Sequence, residues 1–258
     1  MSSRLEDKQA ARDSRLAAEE RARAGAARAR RLRMLGIALA AAAAIVVVAI
    51  LVGQGGSDSS NAPPATKKES SALFAGIPQQ GVTLGRAGAP VTIQEFADLQ
   101  CPYCRQFALG GLPTLVREYV RTGKVRLVFH NVAFLGADSL TARKVAMGAA
   151  LQNKLWQFID RFYVNQGEEN SGYVTHGFLE KVGGQVHGLD LGKAVAAGTS
   201  PAAARLVRDA EREYRRVGQP GTPAFLIGRT GAPGKPITLG FDGSSVVRAV
   251  DAALPKGV

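Results

Sequence analysis

The chain has 258 residues, 46% of them hydrophobic and 21% charged, the balance of a globular core with appendages. Its net charge of +12 divides into +5 over residues 1–33 (ten Lys/Arg, five Asp/Glu) and +7 over the rest (twenty-three against sixteen). Aromatics make up only 6%, and no interleaved aromatic–basic patch points to nucleic acid. Two cysteines are too few for a disulfide framework, and the three histidines, His130, His176 and His187, lie far from them, so a four-ligand metal site is not expected.

Residues 4–33 are rich in Ala, Arg and Glu with few helix breakers, and Glu19 and Arg23 form a favourable i,i+4 pair on a solvated helix. Arg28, Arg30, Arg31 and Arg33 would suit an anionic lipid surface. Residues 34–52 are nineteen in a row without a charge. As a helix they would span about 28 Å, close to the hydrocarbon thickness of a bilayer. The arginines before this stretch and the near-neutral Gly/Ser run after it predict a cytoplasmic N-terminus and an extracytoplasmic remainder. A cleaved signal peptide would have a shorter basic preamble and an Ala-x-Ala after its apolar core. Neither is present, so residues 34–52 are expected to stay as a membrane anchor. Residues 53–72 are too polar to bury and read as a flexible linker.

The folded domain is expected from about residue 73 to 258. Short strand character appears at 82–85. An apolar run of strand length follows at 91–97, and then a helix over 102–121 interrupted at Gly110, Gly111 and Pro113. Residues 124–131 are β-rich. From 137 to about 217 the pattern is helical, with candidate segments at 137–151, 153–165, 175–183 and 201–217. After a turn at 220–223 come strands at 224–228 and 237–241. A last helix, capped by Ser244 or Ser245, runs to about residue 253. Strands and helices in this order give an α/β domain with a helical insertion of about eighty residues. Trp156, Phe158, Phe162 and Tyr163 read as its core.

Both cysteines fall in Cys101-Pro102-Tyr103-Cys104, where the strand gives way to a helix. A thiol attacks a disulfide as thiolate, and an ordinary cysteine with a pKa of about 8.5 is mostly protonated at neutral pH. The unpaired N–H groups and dipole of a helix N-terminus stabilise an anion, which lowers that pKa. Pro102 at the first helical position forfeits no hydrogen bond. Cys104, one turn on, is shielded yet near enough to resolve a mixed disulfide. A structural i,i+3 bridge would close too small a loop to stabilise much. The pair is therefore read as redox chemistry.

The pattern Glu95-Phe96-x-Asp98-x-x-Cys101-Pro102-Tyr103-Cys104, followed much later by Gly221-Thr222-Pro223-Ala224-Phe225, resembles the DsbA-like thiol:disulfide oxidoreductases of the thioredoxin superfamily, in their membrane-anchored Gram-positive form. The resemblance covers about residues 73–255. It implies a thioredoxin fold with an inserted helical domain, Cys101 as the exposed nucleophile and Cys104 as the resolving thiol. It also implies a cis Thr222–Pro223 bond facing Cys101, with Pro102, Tyr103, Thr222 and Pro223 receiving an extended peptide. Glu95 matches a buried acid beneath the pair that relays a proton to the second thiol; its neighbours Ile93, Phe96 and Ala97 agree with burial. No cofactor is implied. The implied partners are reduced exported polypeptides and a membrane quinone-linked protein that reoxidises the pair. A reductase, an isomerase, or a non-catalytic adaptor are the rival readings. Strongly oxidising members often carry His where Tyr103 stands, so a less stabilised thiolate is expected here. The same tetrapeptide occurs in glutaredoxins, which are compact and have no such insertion.

Overall fold

In the computed structural model, residues 72–218 and 220–255 are described. The expected anchor at 34–52, with its basic preamble and most of the linker, lies outside them. Among the described residues no helix is long and apolar enough to cross a membrane.

Strand β3 (Val91–Ala97) lies in the middle of the sheet, with Val91, Ile93, Phe96 and Ala97 supplying its buried apolar side chains. It pairs in parallel with β4 (Val125–Asn131) and antiparallel with β5 (Ala224–Arg229). The short strands β1 (Gln79–Gln80) and β2 (Thr83–Leu84) extend the β4 side, and β6 (Lys235–Ile237) extends the β5 side. The order is β1-β2-β4-β3-β5-β6. The parallel β3–β4 pair requires a crossover, which the chain between them supplies. That crossover is α1 (Pro102–Leu109), α2 (Gly111–Leu115) and one wide π-helical turn at Val116–Val120, so the helix expected over 102–121 is broken at Gly110, where its interruption was expected. Pro113 has no N–H to continue the ladder. Gly110 has a steric reason as well. A Cβ there would lie 2.2 Å from the Phe241 carbonyl oxygen, so only glycine lets the C-terminal segment pass this close.

Between β4 and β5 stand α3 (Ala137–Leu151), α4 (Leu155–Val164), α5 (His176–Gly183), α6 (Leu191–Ala197) and α7 (Pro201–Arg216). The sequence pattern locates four of these. It misses α6, a seven-residue helix capped by Asp190, because so short a segment carries too little periodicity. Helix α8 (Gly243–Asp251) closes the fold. Its cap is Asp242, which accepts from the Ser245 N–H at 2.9 Å, rather than Ser244 or Ser245. The last strand is 235–237, not 237–241. Pro236 is tolerated there because β6 is an edge strand.

Alternation along β3 sends Val91, Ile93 and Ala97 into the main core, which also takes Phe107, Phe129, Trp156, Phe158 and Phe162. Burying each of the larger side chains contributes about 1.5–3 kcal/mol. The aromatic residues of α4 are core, as expected. Phe96 points to the other face and joins Val132 and Leu226 in a smaller cluster, covered by Tyr214 and Val217 from the end of α7.

Candidate active site

The sheet brings the separated sequence features together. Cys101 is the N-cap of α1 and has extended backbone geometry, with no side-chain oxygen to satisfy the first turn. The backbone N–H groups of Tyr103 and Cys104 instead turn toward its sulfur. The Thr222–Pro223 bond is cis. Thr222 faces the pair, and its carbonyl accepts a 3.3 Å hydrogen bond from Cys101 Sγ. Gly221, which leads into that turn, has φ +86°, a conformation that glycine alone adopts without penalty.

Cys101, Cys104, Glu95, Thr222 and Pro223 therefore converge. Both thiols are free. One expectation needs correction: Cys101 is not an exposed residue. Only 5% of its surface meets solvent, against none for Cys104. The Thr222 carbonyl closes over it, and the exposed member of the tetrapeptide is Tyr103, at 56%. The Cys101 side still reaches solvent, and the Cys104 side does not.

The two thiols are driven apart electrostatically. Hydrogen bonding from the Cys104 thiol, supported by the Thr222 side chain and the N–H groups of Cys104 and Tyr103, holds the Cys101 thiol down at about 6 despite its burial. Burial pushes Cys104 well above the ordinary thiol range, and the neighbouring Cys101 and Glu95 reinforce this. Tyr103 adds no side-chain charge, but its backbone N–H helps to stabilise the thiolate.

Glu95 sits in mid-sheet, opposite Phe129 on β4 and Phe225 on β5. It is 4% exposed, and desolvation pushes its carboxyl up to about 8. Among the described residues, no three His, Cys, Asp or Glu side chains are grouped to hold a metal. His176 is exposed and lies against Glu180 on α5. His130 stacks on Phe96 at 4.7 Å and meets Gln94 at 2.9 Å; burial lowers its pKa to about 4.

Several residues around the pair carry no legible signal in the sequence. Asp98, present in the motif but without a role there, is a buried hub. Its carboxylate accepts from the Gln100, Phe134 and Leu135 N–H groups at 2.9, 3.0 and 3.1 Å and from the Ser139 hydroxyl at 2.6 Å. Its carbonyl accepts from the Cys101 N–H at 3.0 Å. Gln166 donates to the carbonyls of Leu99 and Cys101, and Arg105 donates to that of Tyr163. Gln100 ties to Leu135, Ser139 and Asn170. The helical block thus grips the turn that carries Cys101. Beside Thr222 a groove of about 510 Å³ opens between Tyr103, Phe96, Pro223 and Leu239, with Phe241 on its rim stacked on Tyr103 at 6.0 Å.

A strand, a Cys-x-x-Cys helix mouth and a facing cis-proline turn define the thioredoxin class, here with a helical block between β4 and β5. The thioredoxin family model matches residues 78–235, and the chain belongs to that family. It is similar to the probable disulfide bond formation protein D of Bacillus cereus, with 36% identity over 115 residues, 44% of this chain and 52% of that protein. The disulfide bond formation protein D of Bacillus subtilis matches at 31% over 98 residues, 37% of this chain and 44% of that one. The matched stretch spans about half the length of these relatives. Among solved structures, oxidised BdbD from Bacillus subtilis shares the fold with a TM-score of 0.58 at 21% identity, over 68% of this chain and 96% of that one. A thioredoxin-like oxidoreductase from Silicibacter pomeroyi shares it with a TM-score of 0.52 at 27% identity, over 70% and 95%.

Proposed function

We propose that this protein is a thiol:disulfide oxidoreductase that introduces disulfides into exported polypeptides. The observation that carries the reading is the placing of the Cys101 sulfur at the mouth of α1, against the Thr222 carbonyl, with Cys104 buried behind it. In the disulfide form, a client thiolate attacks the Cys101 sulfur. The Cys101–Cys104 bond breaks, and Cys104 departs with the electron pair. Glu95, protonated at neutral pH because its pKa is about 8, supplies a proton to that leaving thiolate. The client's second thiolate then attacks the client sulfur of the mixed disulfide, and Cys101 leaves as thiolate. A thiol with a pKa of about 6 is a good leaving group, and stabilising the reduced form makes the pair an oxidant. The names of the Bacillus relatives support this direction.

Pro102, Tyr103, Thr222 and Pro223 would receive the client as an extended segment. Residues 34–52 would anchor the chain in the cell membrane with the N-terminus inside, and the linker 53–72 would leave the domain free outside. The uncharged run of nineteen residues and the arginines before it support this placement. A membrane quinone-linked protein would return the pair to its disulfide; the DsbA resemblance supports that partner.

The test is a Cys104→Ser variant offered a client polypeptide whose cysteine is carried as a glutathione mixed disulfide, so that the Cys101 thiolate attacks the client sulfur and glutathione leaves as thiolate. A mixed disulfide at Cys101 is expected to accumulate, and in the reduced wild type iodoacetamide labelling of Cys101 should titrate with a midpoint near pH 6. An alkylation midpoint near pH 8.5 with no trapped adduct would remove the mechanism. A pair potential near that of thioredoxin, about −270 mV, would point to reduction instead.

A further inference from the structure

A closed circuit of contacts runs from the nucleophile through the helical block and back. Asp98, just before the Cys101 turn, holds the Phe134 N–H at 3.0 Å. The Phe134 ring, 52% exposed, stacks on Tyr214 of α7 with centroids 6.2 Å apart and planes within 9°. Tyr214 also meets Phe96, at 5.7 Å, and Phe96 stacks on His130. From this pinned position the Tyr214 hydroxyl accepts a 3.1 Å hydrogen bond from the Gly221 N–H. The next residue is Thr222, whose carbonyl reaches Cys101 Sγ.

Gly221 has no side chain and sits at φ +86°, with open space where a Cβ would be. Side-chain packing therefore cannot hold it in place. Neither Gly221 nor Thr222 lies within β5, whose ladder to β3 begins at Ala224. The Tyr214 phenol is the one side chain among the described residues that holds the Gly221 backbone N–H. Its ring is fixed on two sides, so the oxygen is presented at a defined place rather than on a free arm.

We propose that Tyr214 is a positioning residue for client binding: it fixes Gly221 and so sets where the Thr222 backbone is offered to an extended peptide. The helical block thereby sets the receiving edge of the active site, which the thioredoxin sheet alone leaves unbraced. The proposal rests on the exchange reading above, since it needs a peptide that docks on Thr222. Tyr214 touches neither sulfur, so its loss should weaken docking and leave the chemical step intact. One lost hydrogen bond corresponds to about a two- to tenfold change in binding.

The experiment uses the full-length chain in detergent, in its disulfide form, with a reduced cysteine-containing peptide under single turnover. Tyr214→Phe keeps both ring contacts and removes only the acceptor. The half-saturating peptide concentration should rise about two- to tenfold, with an unchanged limiting rate, and amide hydrogen exchange at Gly221 should accelerate. Tyr173→Phe, which removes a phenol elsewhere in the helical block, should change neither reading. An unchanged half-saturation, a limiting rate that falls in parallel, or unchanged Gly221 exchange would each overturn the proposal. If wild type fails to oxidise the peptide, the exchange reading falls, and Gly221 amide exchange in Tyr214→Phe decides the positional claim. If Tyr214→Phe does not fold, the wild-type Gly221 amide decides: protection supports the anchor and free exchange sinks it.

Discussion

Glu95 and Asp98 are both buried carboxyl groups near the end of β3, yet the regions they enter treat them in opposite ways. Glu95 lies inside the sheet among Phe129, Phe225 and the Cys pair, where burial opposes its ionisation. Asp98 lies where the sheet meets the helical block, and four donors converge on its carboxylate. Burial keeps one acid protonated at neutral pH, and hydrogen bonds make the other a fastening. The same chemical group holds its proton where it is desolvated and serves the architecture where it is satisfied.

Three substitutions probe that contrast, and they differ in sign. The largest loss is expected from Asp98→Ala, which removes the acceptor of three backbone N–H groups and of the buried Ser139 hydroxyl. A stability cost of about 3–4 kcal/mol in denaturant unfolding is expected. A cost below about 1 kcal/mol would mean that the junction is held by packing alone.

Glu95→Gln should move stability the other way. The folded carboxyl is raised to about 8 from its ordinary 4.5. Its contribution is therefore fully present below pH 4.5 and is lost as pH rises through 8. The amide has no such loss, so the variant should match wild type at low pH and gain on it as pH rises. Linkage sets the gain at about 3 kcal/mol at pH 7. The same variant should slow departure of Cys104 in stopped-flow oxidation, because the proton donor is gone. A stability difference that does not vary between pH 4 and pH 8 would contradict the assigned environment.

The smallest effect is expected from Gln166→Ala. It releases the carbonyls of Leu99 and Cys101 and should cost about 1 kcal/mol. If the helical block holds the turn through these bonds, Leu99 and the turn after it should also show faster amide exchange. If only global stability falls, the grip on the turn lies elsewhere.

What was readable in the sequence follows the range of the interactions. The strand at 91–97, the helix mouth at Cys101 and the pairing of Cys101 with Cys104 are set by neighbours within one turn or one strand. Apolar spacing, Pro102 and the cysteine spacing report them directly. The burial of Glu95 was legible from its apolar flanks. Helix α6 and strand β1 were not, because seven-residue and two-residue elements carry almost no periodic signal of their own. The Asp242 cap went unread because Ser244 and Ser245, equally good capping residues, stand beside it.

By itself, the sequence determined that a Cys-x-x-Cys pair would stand at a helix N-terminus, since strand, proline and thiols are adjacent along the chain. Only the tertiary structure decided which groups would face that pair. Thr222 meets Cys101 across 121 residues, and Asp98, Gln166 and Tyr214 find their partners 36 to 67 residues away or over a ring stack. Such contacts depend on how sheet and helical block dock. Docking is set by burial summed over both, and no local pattern of residues encodes it.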